Sequence, residues 1–277
     1  MKQLLLAVSM LVLASGAANA GMCEDTFVKK GNPIGGVRFI ATTSVADMTP
    51  QSALGQLRGI VAARGYDILV DEADAGSMLI EQPMTGKARA FPIEITALSE
   101  GGVGTVRMEA KLRAGMLVKE ADGKAELCGM LAQLKGGKAG LALAEKGKGA
   151  QTVQAAPVKM SALAFSHQLS KDTERNSAAI PLRYKDKMFT LDGTVDYVIK
   201  DGDYFRVAYK IMEPWEEAIQ LPNAAKFKTD ISCLMAKGTG AYTLQLKPGK
   251  SIRLTGTFHE FSEFKHVVWL KDCRPEK

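Results

Sequence analysis

The stretch HEFSEFKH, residues 259–266, holds the densest group of side chains that could bind a metal ion or exchange protons: His259, Glu260, Glu263 and His266. In a zinc peptidase helix the two histidines stand four residues apart, because that spacing puts both on one face. Here they stand seven positions apart, in a segment with the pattern of a β-hairpin. The spacing therefore favours a solvated hairpin tip, and we expect no metal site and no cofactor.

The first half of the chain offers no catalytic arrangement. All three histidines lie beyond residue 166, which excludes Ser–His and Cys–His pairs confined to that half. Asp71, Glu72 and Asp74 cluster, but the regular oxygen spacing and closing glutamate of a calcium loop are absent. We therefore expect that the protein is not an enzyme. The alternative is a metal-dependent or hydrolytic periplasmic enzyme with a site between two domains.

Four cysteines could carry redox or metal chemistry: Cys23, Cys128, Cys233 and Cys273. Structural zinc sites use closely spaced ligands, and no two of these cysteines are close in sequence. An even number of cysteines in an exported chain indicates two disulfides, for which three pairings are open. The early pair and the late pair favour one disulfide in each half.

The first twenty residues have the pattern of a signal peptide. A positive start precedes an apolar run over 4–13, and Ala-Asn-Ala at 18–20 is a typical cleavage site. Lipidation of Cys23 is the other reading, but Met22 stands where a small residue normally precedes a lipidated cysteine. We expect a mature chain that begins at Gly21, lies in the periplasm or is secreted, and has no transmembrane segment.

The elements of the first half predict an α+β domain over 21–134. Thr49 as N-cap, Pro50 at the first helical position and Gly65 after the end bound one helix. Alternating or apolar runs predict strands over 37–45, 66–72, 76–82, 90–98 and 104–112, before a closing helix over 124–134. The order predicts an antiparallel sheet with helices on one face. With the rhythm RGYDIL…D…GSMLIE, this layout resembles the helix-grip modules of accessory lipoproteins in outer-membrane barrel assembly, over about 36–134.

The next segment changes composition. Residues 135–157 are rich in glycine, alanine, lysine and glutamine and contain no aromatic residue. This composition is typical of a flexible linker, which we place over 135–168. A helix over 169–180 then begins the second domain, 169–277.

The second half predicts a small β-barrel. Asp201-Gly202 indicates a hairpin, and five strands are expected over 187–199, 203–212, 228–236, 251–261 and 266–273. Gly193 and Gly256 interrupt two of these strands, and a glycine inside a strand marks a bulge or a tight bend. Five short strands that bend sharply predict an OB-like barrel.

Several short motifs extend that prediction to a family. They are Asn176, Ala178-Ala179, Tyr184-Lys185-Asp186-Lys187, Gly193-Thr194-Val195, Cys233, Gly256, Val268, Leu270 and Cys273. On these residues the region 174–273 resembles the tRNA_anti-like OB-fold family of exported bacterial proteins. The resemblance implies a barrel in which Cys233 is paired with Cys273. Most members lack an assigned activity, so tRNA binding is not implied, and the stretch 213–227 is longer than the family pattern.

The barrel supplies the candidate binding residues. Alternation places Tyr204, Arg206 and Lys210 on the outer face of the second strand, and Lys226 and Lys228 lie near the third. Such residues bind single strands or oligosaccharides in OB barrels.

Trp215, in the long insertion, is either an anchor for a partner or packs over the barrel end. The net charge of +6 favours anionic partners, although a charge this modest also accords with ordinary solubility. We therefore expect an exported, non-catalytic binding or assembly module of the cell envelope, whose partner is an envelope protein or an anionic glycan. Nucleic acid is not the expected partner. Binding of single-stranded nucleic acid or an oligosaccharide on the barrel is the second alternative.

Overall fold

Two six-stranded sheets, one in each half of the chain, organise the structure. The computed structural model describes residues 20–83, 90–150, 156–220 and 224–276. The predicted signal peptide therefore lies outside the described residues, except for Ala20 at its end. No helix in the described part of the chain is long and apolar enough to cross a membrane.

The first sheet is antiparallel throughout, in the order β1-β2-β6-β5-β4-β3. Its strands are β1 (Val28–Asn32), β2 (Gly36–Ala46), β3 (Asp67–Glu72), β4 (Ser77–Gln82), β5 (Phe91–Glu100) and β6 (Val103–Leu112). The helices of this half are α1 (Ala20–Thr26), α2 (Pro50–Ala63), α3 (Glu120–Leu131) and α4 (Gly137–Gly147). The predicted α+β class is confirmed, and α1, β1 and α4 are additions to the predicted elements.

The second sheet contains an OB-like barrel. Its strands are β7 (Val158–Ser161), β8 (Met188–Asp201), β9 (Tyr204–Tyr209), β10 (Asp230–Met235), β11 (Ser251–Ser262) and β12 (Val267–Pro275). The helices are α5 (Ala162–Asn176), α6 (Ala179–Tyr184), α7 (Pro214–Gln220) and α8 (Gly240–Thr243). Pairing runs β8–β9–β10–β12–β11 and returns to β8, with β10 and β12 parallel. The five predicted strands are thus confirmed, and β7 adds a short parallel partner to β8.

Local signals set the boundaries of α2. The Oγ1 of Thr49 accepts a hydrogen bond from the backbone N–H of Ser52 at 3.2 Å, and Pro50 occupies the first turn. After Arg64 the chain turns at Gly65, whose φ of +79° suits glycine. The face of α2 that carries Leu54 and Leu57 is buried in the N-terminal core. The turn at Gly65 is what brings the following residue, Tyr66, against the edge of α3.

The flexible linker predicted over 135–168 is wrong for the part that the structure describes. Helix α4 packs tightly on α2, because small residues allow the two backbones to meet. A methyl group on Gly55 would lie 2.8 Å from the Cβ of Ala144, and one on Gly147 would overlap the carbonyl oxygen of Gly55. The glycines thus permit close helix packing. Farther on, β7 and the first half of α5 also fall within this range.

Gly193 lies where β8 changes partners. Through Thr194 the strand pairs with β11, and from Val195 it pairs with β9. A methyl group on Gly193 would lie 2.7 Å from the ring of Tyr209, which is buried. The bulge itself falls after Val195, before Tyr197. The glycine therefore makes room for a core ring beside the bend, and β8 serves both sides of the barrel as expected.

Helices α5 and α6 pack against the barrel core. Phe165 of α5 and Tyr184 of α6 lie against the strand residues Phe189 and Phe258. The ring centroids of Phe165 and Phe189 are 4.5 Å apart, and those of Tyr184 and Phe258 are 5.7 Å apart. The two helices therefore share a hydrophobic core with the strands.

Each half carries one disulfide. Cys23 on α1 is bonded to Cys128 on α3, and Cys233 on β10 is bonded to Cys273 on β12. The expected arrangement of one disulfide in each half is confirmed. Because the sulfur of Cys23 is used in the disulfide, it is not available for a lipid thioether in this form of the protein.

Candidate functional site

Two of the four cations predicted on the barrel face, Arg206 and Lys228, are paired with neighbouring carboxylates. Arg206 forms an ion pair with Asp201 across the β8–β9 hairpin. The Nζ of Lys228 lies 2.5 Å from Glu213 and 3.5 Å from Asp230.

Two further predicted lysines, Lys210 and Lys226, are exposed. The backbone N–H of Lys226 donates to the Oε1 of Glu174 at 2.6 Å. The predicted cations therefore lie at or near the surface, and carboxylates compensate two of the four.

The β8–β9 hairpin also carries exposed apolar residues that were not predicted from the sequence. Tyr197 and Ile199 on β8 are exposed, and they pair with Ala208 and Arg206 on β9. Residues directly opposite each other in an antiparallel pair share one face of the sheet. Tyr204 belongs to that face as well, so two tyrosines and an isoleucine form an exposed apolar strip. Continuing the alternation of β8 beyond the buried Val195 would place Tyr197 and Ile199 on the core face. The bulge after Val195 reverses the alternation and turns them outward, so the sequence pattern did not predict the strip.

Trp215 does not pack over the barrel end. It lies on the short helix α7 and is 66% exposed, and Ile219 one turn later is 80% exposed. The packing alternative is therefore wrong, and a role for Trp215 as an anchor stays a prediction.

The histidine-rich stretch is the hairpin between β11 and β12, as predicted. His259 is exposed, and His266 lies in the turn with its ring stacked on Phe227 at 3.9 Å. In the first half, Asp71 accepts a hydrogen bond from Arg58 at 2.6 Å. Over residues 20–83, 90–150, 156–220 and 224–276, no group of three or more His, Cys, Asp or Glu side chains is placed to hold a metal ion.

A pocket of about 430 Å³ opens between the N-terminal sheet and α3, which we call the N-terminal pocket. Its walls are mainly apolar, since alternate residues of β2, β5 and β6 face α3. The apolar lining includes Phe39, Phe91, Ile93, Ala110, Leu112 and Leu127. The α3 backbone approaches the floor closely, because a methyl group on Gly123 would lie 2.8 Å from the ring of Phe39. The volume lies within the range of small-molecule sites.

A polar cluster stands at the rim of the N-terminal pocket. Arg64 at the end of α2 and Glu126 of α3 form an ion pair at 2.9 Å, and the Tyr66 hydroxyl donates to Glu126 at 3.2 Å. Burial raises the pKa of Tyr66, and the negative charge of Glu126 raises it further, so the phenol stays protonated. The arrangement can therefore hold an apolar body and offer hydrogen bonds to its polar end.

A second cavity, of about 230 Å³, lies between the two halves, and we call it the interdomain cleft. Lys111 and Arg113 line it from the N-terminal half, and Arg175 and Arg183 line it from α5 and α6. Leu69, Leu79 and Pro92 form its apolar wall.

Buried carboxylates tie the two halves together beside the interdomain cleft. The Nε of Arg183 donates to both oxygens of Glu81 on β4, at 2.9 and 2.6 Å. Glu81 has no exposed surface, and Arg183 also lies 3.5 Å from Asp172. Burial lowers the pKa of Arg183, but the hydrogen bond and charge of Glu81 outweigh it, so the pKa is raised. At the edge of the contact, Lys187 lies 2.5 Å from Asp67.

The sequence reasoning singled out none of the residues of the interdomain cleft as a site. Their positions are far apart in the chain, and each is an ordinary surface charge when read alone. Only the contact between the halves brings them together.

Neither a family model nor a curated protein matches the chain. Among solved structures, part of the chain is similar to a lipoprotein from Klebsiella pneumoniae subsp. pneumoniae MGH 78578, described as a candidate nucleic acid-binding protein. The identity is 16%, the match covers 44% of this chain and 92% of that one, and the TM-score is 0.32. CalU16 from Micromonospora echinospora matches with 11% identity over 44% of this chain and 93% of that one, at a TM-score of 0.27. Similarity at this level carries no argument about ligands.

Proposed function

We propose that the protein is an exported, non-catalytic binding module of the bacterial cell envelope and that the N-terminal pocket is its ligand site. The observation that carries the proposal is a preformed cavity of about 430 Å³ with apolar walls and one hydrogen-bonded polar cluster at its rim. Small-molecule sites have this composition, with a few polar groups that orient a mostly apolar ligand. The proposal includes membership of the C-terminal half in the tRNA_anti-like OB-fold family.

The rim indicates the chemistry of the ligand. Arg64 and Glu126 neutralise each other, so the rim offers hydrogen bonds without a net charge from this pair. Both side chains are partly exposed, and a charged head group would compete with the partner that each of them already has. An amphipathic molecule with an apolar body and a neutral hydroxyl or amide end therefore fits best.

Two further observations support this assignment. The two disulfides suit an oxidising compartment such as the periplasm. The described lining of the interdomain cleft contains no histidine, cysteine or serine, which weighs against a serine- or cysteine-type hydrolytic site there.

Blocking the mouth of the N-terminal pocket tests the proposal. Val118 lines the pocket and is 38% exposed, whereas its neighbour Leu117 is 82% exposed and does not line it. We expect the neutral fluorescent probe N-phenyl-1-naphthylamine to bind the wild-type protein saturably. Val118→Phe should weaken binding at least tenfold, and the matched control Leu117→Phe should leave it unchanged. Absence of saturable binding, or equal affinities of the two variants, would refute the assignment.

A second candidate function is favoured by the exposed strip on the β8–β9 hairpin. Tyr197 and Tyr204 share one face of the sheet there, and tyrosine rings supply stacking surfaces for sugars and bases. Because Arg206 is paired with Asp201, the strip suits a neutral oligosaccharide better than a polyanion. Chitotetraose should bind the wild-type protein and not the Tyr197→Ala/Tyr204→Ala variant. Tighter binding of an oligothymidylate than of chitotetraose would instead favour nucleic acid.

A further inference from the structure

The interdomain cleft contains more cationic than anionic side chains. Lys111, Arg113, Arg175 and Arg183 line it, against the carboxylates of Glu94 and Asp172. Two of the cations have carboxylates of their own, because Lys111 lies 2.6 Å from Glu94 and Arg183 is bonded to the buried Glu81. Arg113 and Arg175 are left to share the single carboxylate of Asp172.

Asp172 is already well supplied with donors. Its Oδ2 accepts from the Tyr184 hydroxyl at 2.9 Å and from the Gln168 amide at 3.0 Å. Its Oδ1 accepts from Arg175 at 3.1 Å. Tyr184 and Gln168 alone would satisfy much of the capacity of a buried carboxylate.

Arg113 is therefore poorly paired. Both of its terminal nitrogens lie 3.5 Å from the Oδ1 of Asp172, beyond the usual length of an N–H···O hydrogen bond. Burial lowers the pKa of Arg113, and the charges of Arg175 and Arg183 add to that effect against the attraction of Asp172. Arg113 thus shares the carboxylate of Asp172 with Arg175 and Arg183 and contacts it only at long range, and Arg113 lines the cleft.

We propose that the interdomain cleft binds an oxyanion, a phosphate or carboxylate group of a small molecule, between Arg113 and Arg175. Both guanidinium groups converge on the same oxygen of Asp172, so a bound oxyanion can reach both. Planar guanidinium groups donate two parallel hydrogen bonds to phosphate and carboxylate oxygens. The apolar wall of Leu69, Leu79 and Pro92 would contact the rest of the ligand.

The proposed site is separate from the N-terminal pocket, and it joins the two halves. Arg113 directly follows β6, whereas Arg175 belongs to α5. A ligand that bonds to both arginines binds only the assembled arrangement, so its binding free energy adds to the stability of the contact between the halves.

Binding is tested on the full mature chain by titration calorimetry and thermal unfolding. The probes are inorganic phosphate and glucuronate, each against sodium chloride of equal ionic strength. We expect at least one probe to bind saturably and to raise the melting temperature. Arg113→Gln and Arg175→Gln should each weaken binding about tenfold or more, because each removes a charge-assisted hydrogen bond. The matched control is Arg253→Gln, which removes an exposed barrel cation paired with Asp192.

The outcomes separate the sources of the oxyanion. Binding of phosphate alone indicates a phosphorylated ligand, and binding of glucuronate alone indicates a carboxylated glycan. The proposal fails if neither probe binds saturably, or if Arg253→Gln weakens binding as much as the cleft variants do. If Arg113→Gln does not fold, Arg175→Gln alone tests the proposal, since Arg175 is half-exposed and its replacement should not prevent folding. Wild-type affinity in Arg175→Gln would then overturn the proposal.

Discussion

Replacing Arg183 with methionine should expose how strongly the buried ion pair holds the two halves together. Methionine keeps most of the apolar stem of arginine but removes the donors that Glu81 receives at 2.9 and 2.6 Å. Glu81 is fully buried, so its carboxylate is left without a compensating charge. Breaking a buried pair in this way costs about 3–5 kcal/mol.

Urea unfolding provides the measurement. Both tryptophans of the chain, Trp215 and Trp269, lie in the C-terminal half, so their fluorescence reports that half, and far-ultraviolet circular dichroism reports the whole chain. In Arg183→Met the two signals should separate, because the variant weakens the contact between the halves. The free energy of unfolding taken from the fluorescence transition alone should fall by about 4 kcal/mol.

Two further variants make the reasoning refutable. The exposed control Arg253→Met should stay close to the wild-type stability, because exposed ion pairs contribute little. The double variant Glu81→Met/Arg183→Met should recover much of the loss, because a buried pair can be replaced by apolar groups of similar volume at little cost. A loss in Arg183→Met no larger than that of the control would show that the pair does not hold the halves together. A double variant as unstable as the single variant would show that the loss does not come from the unpaired carboxylate.

Three other predictions concern the barrel and the export of the chain. The double variant Cys233→Ser/Cys273→Ser opens a loop with a sequence separation of 40 residues, and chain entropy predicts that its free energy of unfolding falls by about 4 kcal/mol. Urea unfolding under oxidising conditions measures this loss, which should disappear when the wild-type protein and the variant are both reduced. Gly193→Ala places a methyl group 2.7 Å from a buried tyrosine ring and should cost about 1–3 kcal/mol in thermal unfolding, whereas Gly149→Ala, which meets no neighbour, should be neutral. Mass spectrometry of the protein from its cells should find Gly21 as the first residue, and a lipidated N-terminus at Cys23 would contradict a soluble mature chain that begins at Gly21.

Elements with local signals were predictable from the sequence. The cap at Thr49 and the turn at Gly65 bound α2 because both features depend on adjacent residues only. The alternation of apolar residues likewise gave the strands of both sheets, since a half-buried strand has a period of two. The pairing of Cys233 with Cys273 followed from an early and a late pair of cysteines and from the family pattern.

Helix α4 was not predictable in this way. Its glycines and alanines have the composition of a linker, and their role becomes visible only beside a distant partner. Gly147 meets the backbone of Gly55, which lies far earlier in the chain. Composition reports which residues tolerate flexibility or close approach, but it does not say which of the two the fold uses.

The two candidate ligand sites escaped prediction for a related reason. Glu126 is one of many surface charges until the end of α2 brings Arg64 and Tyr66 to it. In the same way, Arg113 and Arg175 can be recognised as a site only from their shared contact with Asp172. A site assembled from separate elements has no fixed residue spacing in the sequence, whereas a metal motif on one helix has one.

Tyr184 links the barrel to the interdomain cleft. Its ring lies in the core against Phe258, while its hydroxyl donates to Asp172. Burial raises the pKa of Tyr184, and the negative charge of Asp172 raises it further, so the hydroxyl remains a donor at every physiological pH. Asp172 is thereby held in place from the barrel side and positions Arg113 and Arg175 from the cleft side. The helices that pack against the barrel therefore also set the geometry of the cleft, because the hydroxyl of Tyr184 holds the carboxylate that both arginines contact.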